Sequence, residues 1–325
     1  MNDLAASVSR LANWRVVVLG DVILDEYWLG SATRLSREAP IPVLEWMEER
    51  RIVGGAANPS ANIVALGSVA LQVGIVGEDS AAGFLRQALA QRGIQDYLSV
   101  LPERATTHKT RILAQMGLRF PQQVARIDRI TRQPISASQS QSVLGRLQEA
   151  LAGAQGLLVS DYGGGLLTPE LVTQARQAAQ AQGIFTSADA QGGLEKYAGF
   201  DVVKCNADDA QAYLGMSLHR DADFADAAQR LLKRLELRQA MVITRGADGA
   251  TWATPQTHQH CPAPRIQDVY DTVGAGDTFI AVLSLACLAG LALAQAITLA
   301  NAASGIVIQH VGNYALQPQE LRAAL

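Results

Sequence analysis

Short runs of Val, Ile and Leu recur along the chain, separated by longer stretches in which apolar residues return at helical spacing. Six of these runs predict β-strands: Arg15 to Gly20, Leu71 to Gly77, Gly156 to Asp161, Ile184 to Asp189, Asp201 to Asn206 and Ala240 to Gly246. Strands alternating with helices predict an α/β fold whose mostly parallel central sheet is wrapped by helices. Several of the runs end in Asp, Asn or Gly. In open α/β sheets ligands bind beyond the carboxyl ends of the strands, so these termini are expected to converge on one cleft, although each alone is also an ordinary turn or cap residue.

Two segments break the alternation, at approximately 26–52 and 106–128. They carry strand-like patches, prolines and clustered basic residues without a long helical pattern, and predict a small β lid projecting from the main sheet over the cleft. Trp28, Trp46, Ile112 and Leu113 on these segments would suit a homodimer contact through the lid. The most membrane-like stretch, Phe279 to Ala294, falls short of the ~20 apolar residues of a spanning helix. It reads as a buried core helix ended by Gly290, followed by a second buried helix over 293–309.

With 325 residues, 49% of them hydrophobic and 18% charged, the chain can bury a large core. No repeat or interdomain linker divides it, so a single domain over 1–325 is expected. The net charge of -3 arises from 27 basic and 30 acidic residues with no long block of one sign. That pattern excludes a broad nucleic-acid or membrane footprint, and any anionic ligand must be met locally. Cys205, Cys261 and Cys287 are odd in number and far apart, which argues against a disulfide framework and for a reducing compartment. The first residues lack a basic start followed by an apolar run, so the expected location is the cytoplasm.

The stretch "DTVGAGDTF", Asp271 to Phe279, carries the chemistry. Gly274, Ala275 and Gly276 let backbone N–H groups approach a ligand closely, and the apolar run behind them places them at a helix N-terminus, where unpaired donors and the helix dipole favour an anion. Asp277 beside them is either a helix cap or a carboxylate that accepts the proton of a hydroxyl attacking a phosphoryl group. The glycines favour the second reading, because capping alone does not require them.

This stretch resembles the signature of the ribokinase-like, PfkB-type carbohydrate kinases, and "GDVILD", "GGAAN", "NADD" and "TRGADG" follow the same family order over nearly the whole chain. The resemblance implies a ribokinase-like three-layer α/β sandwich and transfer of the γ-phosphate of ATP to a sugar hydroxyl. It implies that Asp277 is the base, that Gly274, Ala275 and Gly276 hold the transferring group, and that Asp271 helps bind a monovalent cation such as K+. Asp25, Gly54, Gly55 and Asn58 would hold sugar hydroxyls. Thr244, Gly246 and Gly249 would shape the nucleotide site, "TRGADG" being equally the pattern of a β-hairpin turn; Asn301 would face the adenine or pack the last helix. Mg2+ is the implied divalent metal, with Asn206 and Asp209 standing where the family has NxxE, one methylene shorter. "HQHC", His258 to Cys261, offers metal-ligating side chains, but alternation along a strand and the lack of a second cluster favour ordinary surface histidines.

Within the family, "YWLGSATRLSREAPIPV" and "SDYGGGLLT" look most like the heptose 7-phosphate kinases of ADP-heptose biosynthesis. Arg34, Arg37, Lys109, Arg111 and Arg126 would then place cations near a substrate phosphate, only some of them touching it. Two family lysines are replaced, by Gly164 in "SDYGGG" and Gln191 in "DAQG". Either the acceptor is a less anionic sugar or other cations do their work. No HxGH motif is present, so adenylyl transfer is not expected of this sequence. Two other readings stay open: a PfkB-type kinase for another sugar or a nucleoside, and a non-catalytic sugar- or nucleotide-binding regulatory module.

Overall fold

A computed structural model of the chain describes residues 2–117 and 121–325; positions 118–120 of the second predicted lid segment lie outside the described residues. Thirteen strands are present among them: β1 Arg15–Gly20, β2 Val22–Leu35, β3 Pro42–Gly55, β4 Val69–Val76, β5 Gln95–Val100, β6 His108–Gln115, β7 Gln122–Arg129, β8 Gly156–Ser160, β9 Phe185–Asp189, β10 Val202–Asn206, β11 Ala240–Thr244, β12 Ala250–Ala253 and β13 His258–Cys261. They form a nine-stranded sheet in the order β13-β12-β11-β10-β9-β8-β1-β4-β5 and a four-stranded sheet in the order β3-β2-β6-β7. The large sheet is parallel from β5 to β11 and antiparallel at β12 and β13.

All six predicted strands are central strands of the large sheet. Their side chains alternate between its faces: Val16 and Val18 join one buried cluster, Val17 and Leu19 the other. Burial on both faces is why they read as continuous apolar runs. Outside the predictions lie β5 and β13, the two edge strands, where an apolar run is not required, and β12, a buried run of only four residues; His258, Gln259 and His260 of β13 are all exposed.

The small sheet grows out of the large one. Only Asp21 separates β1 from β2, whose first five residues are buried before its outer half emerges. In β2 and β3 Trp28 and Trp46 are 37% and 61% exposed, with their rings edge-to-face at 6.2 Å. At the base of this sheet the buried Glu26 accepts from Arg51 Nε on Oε1 at 2.9 Å and from Thr110 Oγ1 on Oε2 at 3.0 Å, with His108 Nε2 also 3.0 Å from Oε2. Burial opposes its charge, but these donors outweigh burial and hold the Glu26 carboxyl below its ordinary range.

The core helix spans Ala275–Leu288 and the next Leu293–Val307. The first begins ahead of the apolar run at Phe279, and Gly290 follows it in the left-handed conformation at φ 68°. No helix among the described residues is long and apolar enough to cross a membrane.

Candidate active site

The helix Ala275–Leu288 starts at Gly274, whose φ of 82° falls in the left-handed region and whose Cβ, if present, would lie 2.7 Å from Asn58 Nδ2. Both facts require glycine there. A Cβ on Gly276 would come within 3.0 Å of Lys204 Nζ, so the backbone at the helix start is bare on the side facing a buried ammonium.

Asp277 lies one turn in and is buried. Its Oδ2 accepts from Asn58 Nδ2 at 2.8 Å and its Oδ1 from the Tyr162 hydroxyl at 2.5 Å. Burial pushes the Asp277 carboxyl above its ordinary value, while these two hydrogen bonds and the Lys204 charge pull back. A carboxyl raised toward neutrality is suited to taking up a proton. Behind it, Lys204 Nζ donates to both oxygens of Asp189, at 2.7 and 2.9 Å. Burial pushes Asp189 up to about 6 even so.

On the lid side, Asp25 is buried on β2 and paired with Arg111 Nη1 at 2.5 Å. A Cβ on Gly54 would overlap the Asp25 carboxylate, and Gly55 takes φ 57° against Asp21 and Ile23. Asn313 Nδ2 donates to Asp25 Oδ2 and to Val53 O, each at 3.0 Å, while Asn58 Nδ2 lies 3.5 Å from Asn313 Oδ1. Lys109 Nζ stands 5.9 Å from the centre of the Tyr162 ring. Asp25, Asn58, Arg111 and Lys109 are thus brought together around Asp277 and Tyr162. Arg34 and Arg126 are not drawn in with them: both are exposed, and Arg126 pairs with Asp128 of its own strand at 2.8 Å, because the outer sheet leaves β7 wholly in solvent.

Across the helix start opens a cavity of about 940 Å³, lined by Asn206, Thr244, Gly246, Ala275 and Asn301 among others. Gly249 is set apart from this lining. It closes the β11–β12 turn at φ 93°, where a Cβ would strike the backbone of Cys261 and Pro262. Asn301 Nδ2 donates to Cys261 O at 3.0 Å, which positions the 261–262 turn on the cavity rim. Asn206 caps its helix by accepting from Asp209 N at 2.7 Å. Asp209 Oδ1 accepts from Gly192 N at 3.0 Å, whereas its Oδ2 is buried without a hydrogen-bond partner. Asp271 receives Val273 N and Gly312 N on separate oxygens, each at 3.0 Å.

Residues that the sequence reading did not single out complete the site: Tyr162, Asn313, Lys204, Asp189 and Asp21. Three of them end or follow predicted strands, which was their only visible signal. Asp21 Oδ2 accepts from Tyr162 N at 3.2 Å and Gly164 N at 3.0 Å, and a Cβ on Gly164 would lie 2.5 Å from Asp21 Oδ1. That leaves no room for the family lysine at 164 in this arrangement, while Gln191 is exposed. In β13 His258 meets Gln229 at 2.9 Å, and His260 meets Thr251 and Arg245, each at 3.2 Å. Among the described residues no group of three or more His, Cys, Asp or Glu side chains is clustered to hold a metal.

A buried carboxylate at a glycine-lined helix N-terminus, between a polar pocket under one sheet and a large cavity beside the other, is an arrangement for moving a group between two ligands. Known proteins agree. The chain is 38% identical to the bifunctional protein HldE of Caulobacter vibrioides over 99% of its own length, and 37% identical to that of Stutzerimonas stutzeri over 98%. It spans 66% and 65% of those proteins, so it corresponds to less than two thirds of either. Escherichia coli phosphofructokinase-2, solved with substrates and products, superposes with a TM-score of 0.78 at 19% identity, covering 95% of this chain and 97% of that one, which establishes the ribokinase-like fold. The sequence profile of the pfkB family carbohydrate kinases matches residues 15–320, and the chain belongs to that family.

Proposed function

We propose that the protein transfers the γ-phosphate of ATP to a hydroxyl of a sugar phosphate, with the anomeric hydroxyl of heptose 7-phosphate as the favoured acceptor. The observation that carries this reading is Asp277: a buried carboxylate at the helix N-terminus that Gly274 to Gly276 form, with Asp25 and Asn58 on one side and the 940 Å³ cavity on the other. The acceptor hydroxyl attacks the γ-phosphorus in line. Asp277 takes its proton, and the helix N-terminus with the Lys204 ammonium faces the charge on the equatorial oxygens. The bond to the β,γ-bridging oxygen breaks and ADP leaves.

The unpartnered Asp209 Oδ2 fits a divalent ion held through water, and Asp271, on the loop closed by Gly312 N, fits a monovalent cation. Mg2+ bound there would neutralise phosphate charge. Asp25, Gly54 and Asn58 would orient the sugar, and Lys109 and Arg111 would meet its phosphate, Arg111 sharing its guanidinium with Asp25. Thr244, Gly246 and Asn301 would frame the nucleotide. The small sheet acts as the lid of this single domain, and its exposed Trp28 and Trp46 form the contact of a homodimer in the cytoplasm.

The crowding of Gly164 against Asp21 favours keeping a second reading, in which the acceptor is another sugar with a differently placed phosphate. The test is ADP release from Mg-ATP over a panel of sugars and sugar phosphates, heptose 7-phosphate included. Wild type turns over with that acceptor, and Asp277→Asn loses at least ~100-fold while still binding nucleotide. Turnover with a different acceptor alone would move the substrate assignment; nucleotide binding without any turnover would favour a regulatory module.

A further inference from the structure

We propose that Tyr162 is a positioning residue for the base, its hydroxyl fixing and electrostatically supporting the Asp277 carboxylate. This rests on the reading of Asp277 as the base but adds a group to it. The hydroxyl donates to Oδ1 at 2.5 Å, and with Asn58 on Oδ2 it makes one of the two side-chain hydrogen bonds of a carboxylate that is 7% exposed. Donors to the charged form stabilise it, so these two bonds counter the burial that favours the neutral acid.

The loop carrying Tyr162 is pinned with more charge than packing requires. At its start Asp161 accepts from Gly163 N at 2.9 Å, from Tyr197 OH at 2.6 Å and from Lys196 Nζ at 2.5 Å. Further along, the buried Asp21 takes the N–H groups of Tyr162 and Gly164. The buried Arg104 donates to Gly164 O as well as to Thr131 O at 2.5 Å and Gln133 O at 2.7 Å. Burying two carboxylates and a guanidinium around a five-residue turn is costly unless every one is satisfied, and together they leave the phenol one place to reach. Lys109 above the ring face adds a cation from the small sheet.

The charged groups facing Asp277 are Lys204 and Asp189 from the large sheet and Asp25 from β2; its side-chain hydrogen bonds come instead from the neutral Tyr162 hydroxyl and the Asn58 amide. Tyr162→Phe keeps the ring and removes the donor. The proton affinity of Asp277 should then rise, and the acid limb of kcat/KM for the acceptor should move to higher pH by about one unit. The plateau kcat should fall roughly tenfold, with KM for ATP unchanged.

The experiment pairs that pH profile with 13C-NMR titration of the Asp277 carboxyl in aspartate-labelled protein, assigned by its loss in Asp277→Asn. Tyr197→Phe, which deletes a neighbouring buried phenol bonded to Asp161, is the control for general loosening. An upward shift of the Asp277 titration in Tyr162→Phe but not in Tyr197→Phe supports the proposal. An unmoved titration, or an equal shift in both variants, overturns it whatever happens to the rate. A shifted carboxyl in a protein that turns over no acceptor would leave the positioning role standing and remove the kinase reading.

Discussion

Asn313 donates to Asp25 Oδ2 at 3.0 Å across a separation of 288 residues, joining the last loop of the chain to the base of the small sheet. One residue earlier, Gly312 N donates to Asp271, so a single turn holds both the proposed acceptor ligand and the proposed cation ligand. Replacing Asn313 with Ala frees Asp25 to follow Arg111 and removes a neighbour of Asn58. Steady-state kinetics of Asn313→Ala should show acceptor KM raised about tenfold, the loss of roughly one hydrogen bond to a charged group, with nucleotide affinity intact. An equal loss of nucleotide affinity would mean that the turn serves folding rather than acceptor binding.

Gly274 is the position where backbone geometry and function coincide. Alanine there must adopt φ 82° and place its Cβ 2.7 Å from Asn58 Nδ2, the group that bonds the base. Strain and displacement together should cost about 1–3 kcal/mol of stability by urea unfolding. Turnover should fall by about 100-fold or more, because the helix N-terminus is no longer presented to the phosphoryl group. Gly246→Ala, at a glycine with no atom within 4 Å of its Cβ position, should cost only the strain of its φ of 58°.

Asp189 makes a pH prediction with a definite sign. Its carboxyl is raised from 3.8 to about 6. Between roughly pH 4 and 6 the native state therefore holds a proton that the unfolded chain has released, and the contribution of Asp189 to stability falls as pH rises through that window. The difference in unfolding free energy between wild type and Asp189→Asn should decline by roughly 1–3 kcal/mol from pH 4 to pH 6 and be flat above. A difference that rises over the same range would mean that the Lys204 ion pair outweighs burial.

The chain itself determined the fold class, the central strands and the place of the helix start. Strands buried on both faces must be continuously apolar, so β1, β4, β8, β9, β10 and β11 were legible, while the edge strands β5 and β13 carry no such requirement and were not, and β12, though buried, is only four residues long. The glycines and carboxylate of Asp271 to Asp277 were legible because close backbone approach at a helix N-terminus leaves few residue types possible. Tertiary structure alone decided which polar residues meet. Tyr162, Asn313 and Lys204 are single side chains, two on loops and one in the middle of β10, where local pattern imposes nothing, and they reach Asp277, Asp25 and Gly276 at the helix start across 115, 288 and 72 residues of sequence. Likewise Arg34 and Arg126 look like Lys109 and Arg111 in one dimension. Only their places in the small sheet, which is buried at the Asp25 end of β2 and exposed at the far end of β2 and all along β7, separate the two pairs.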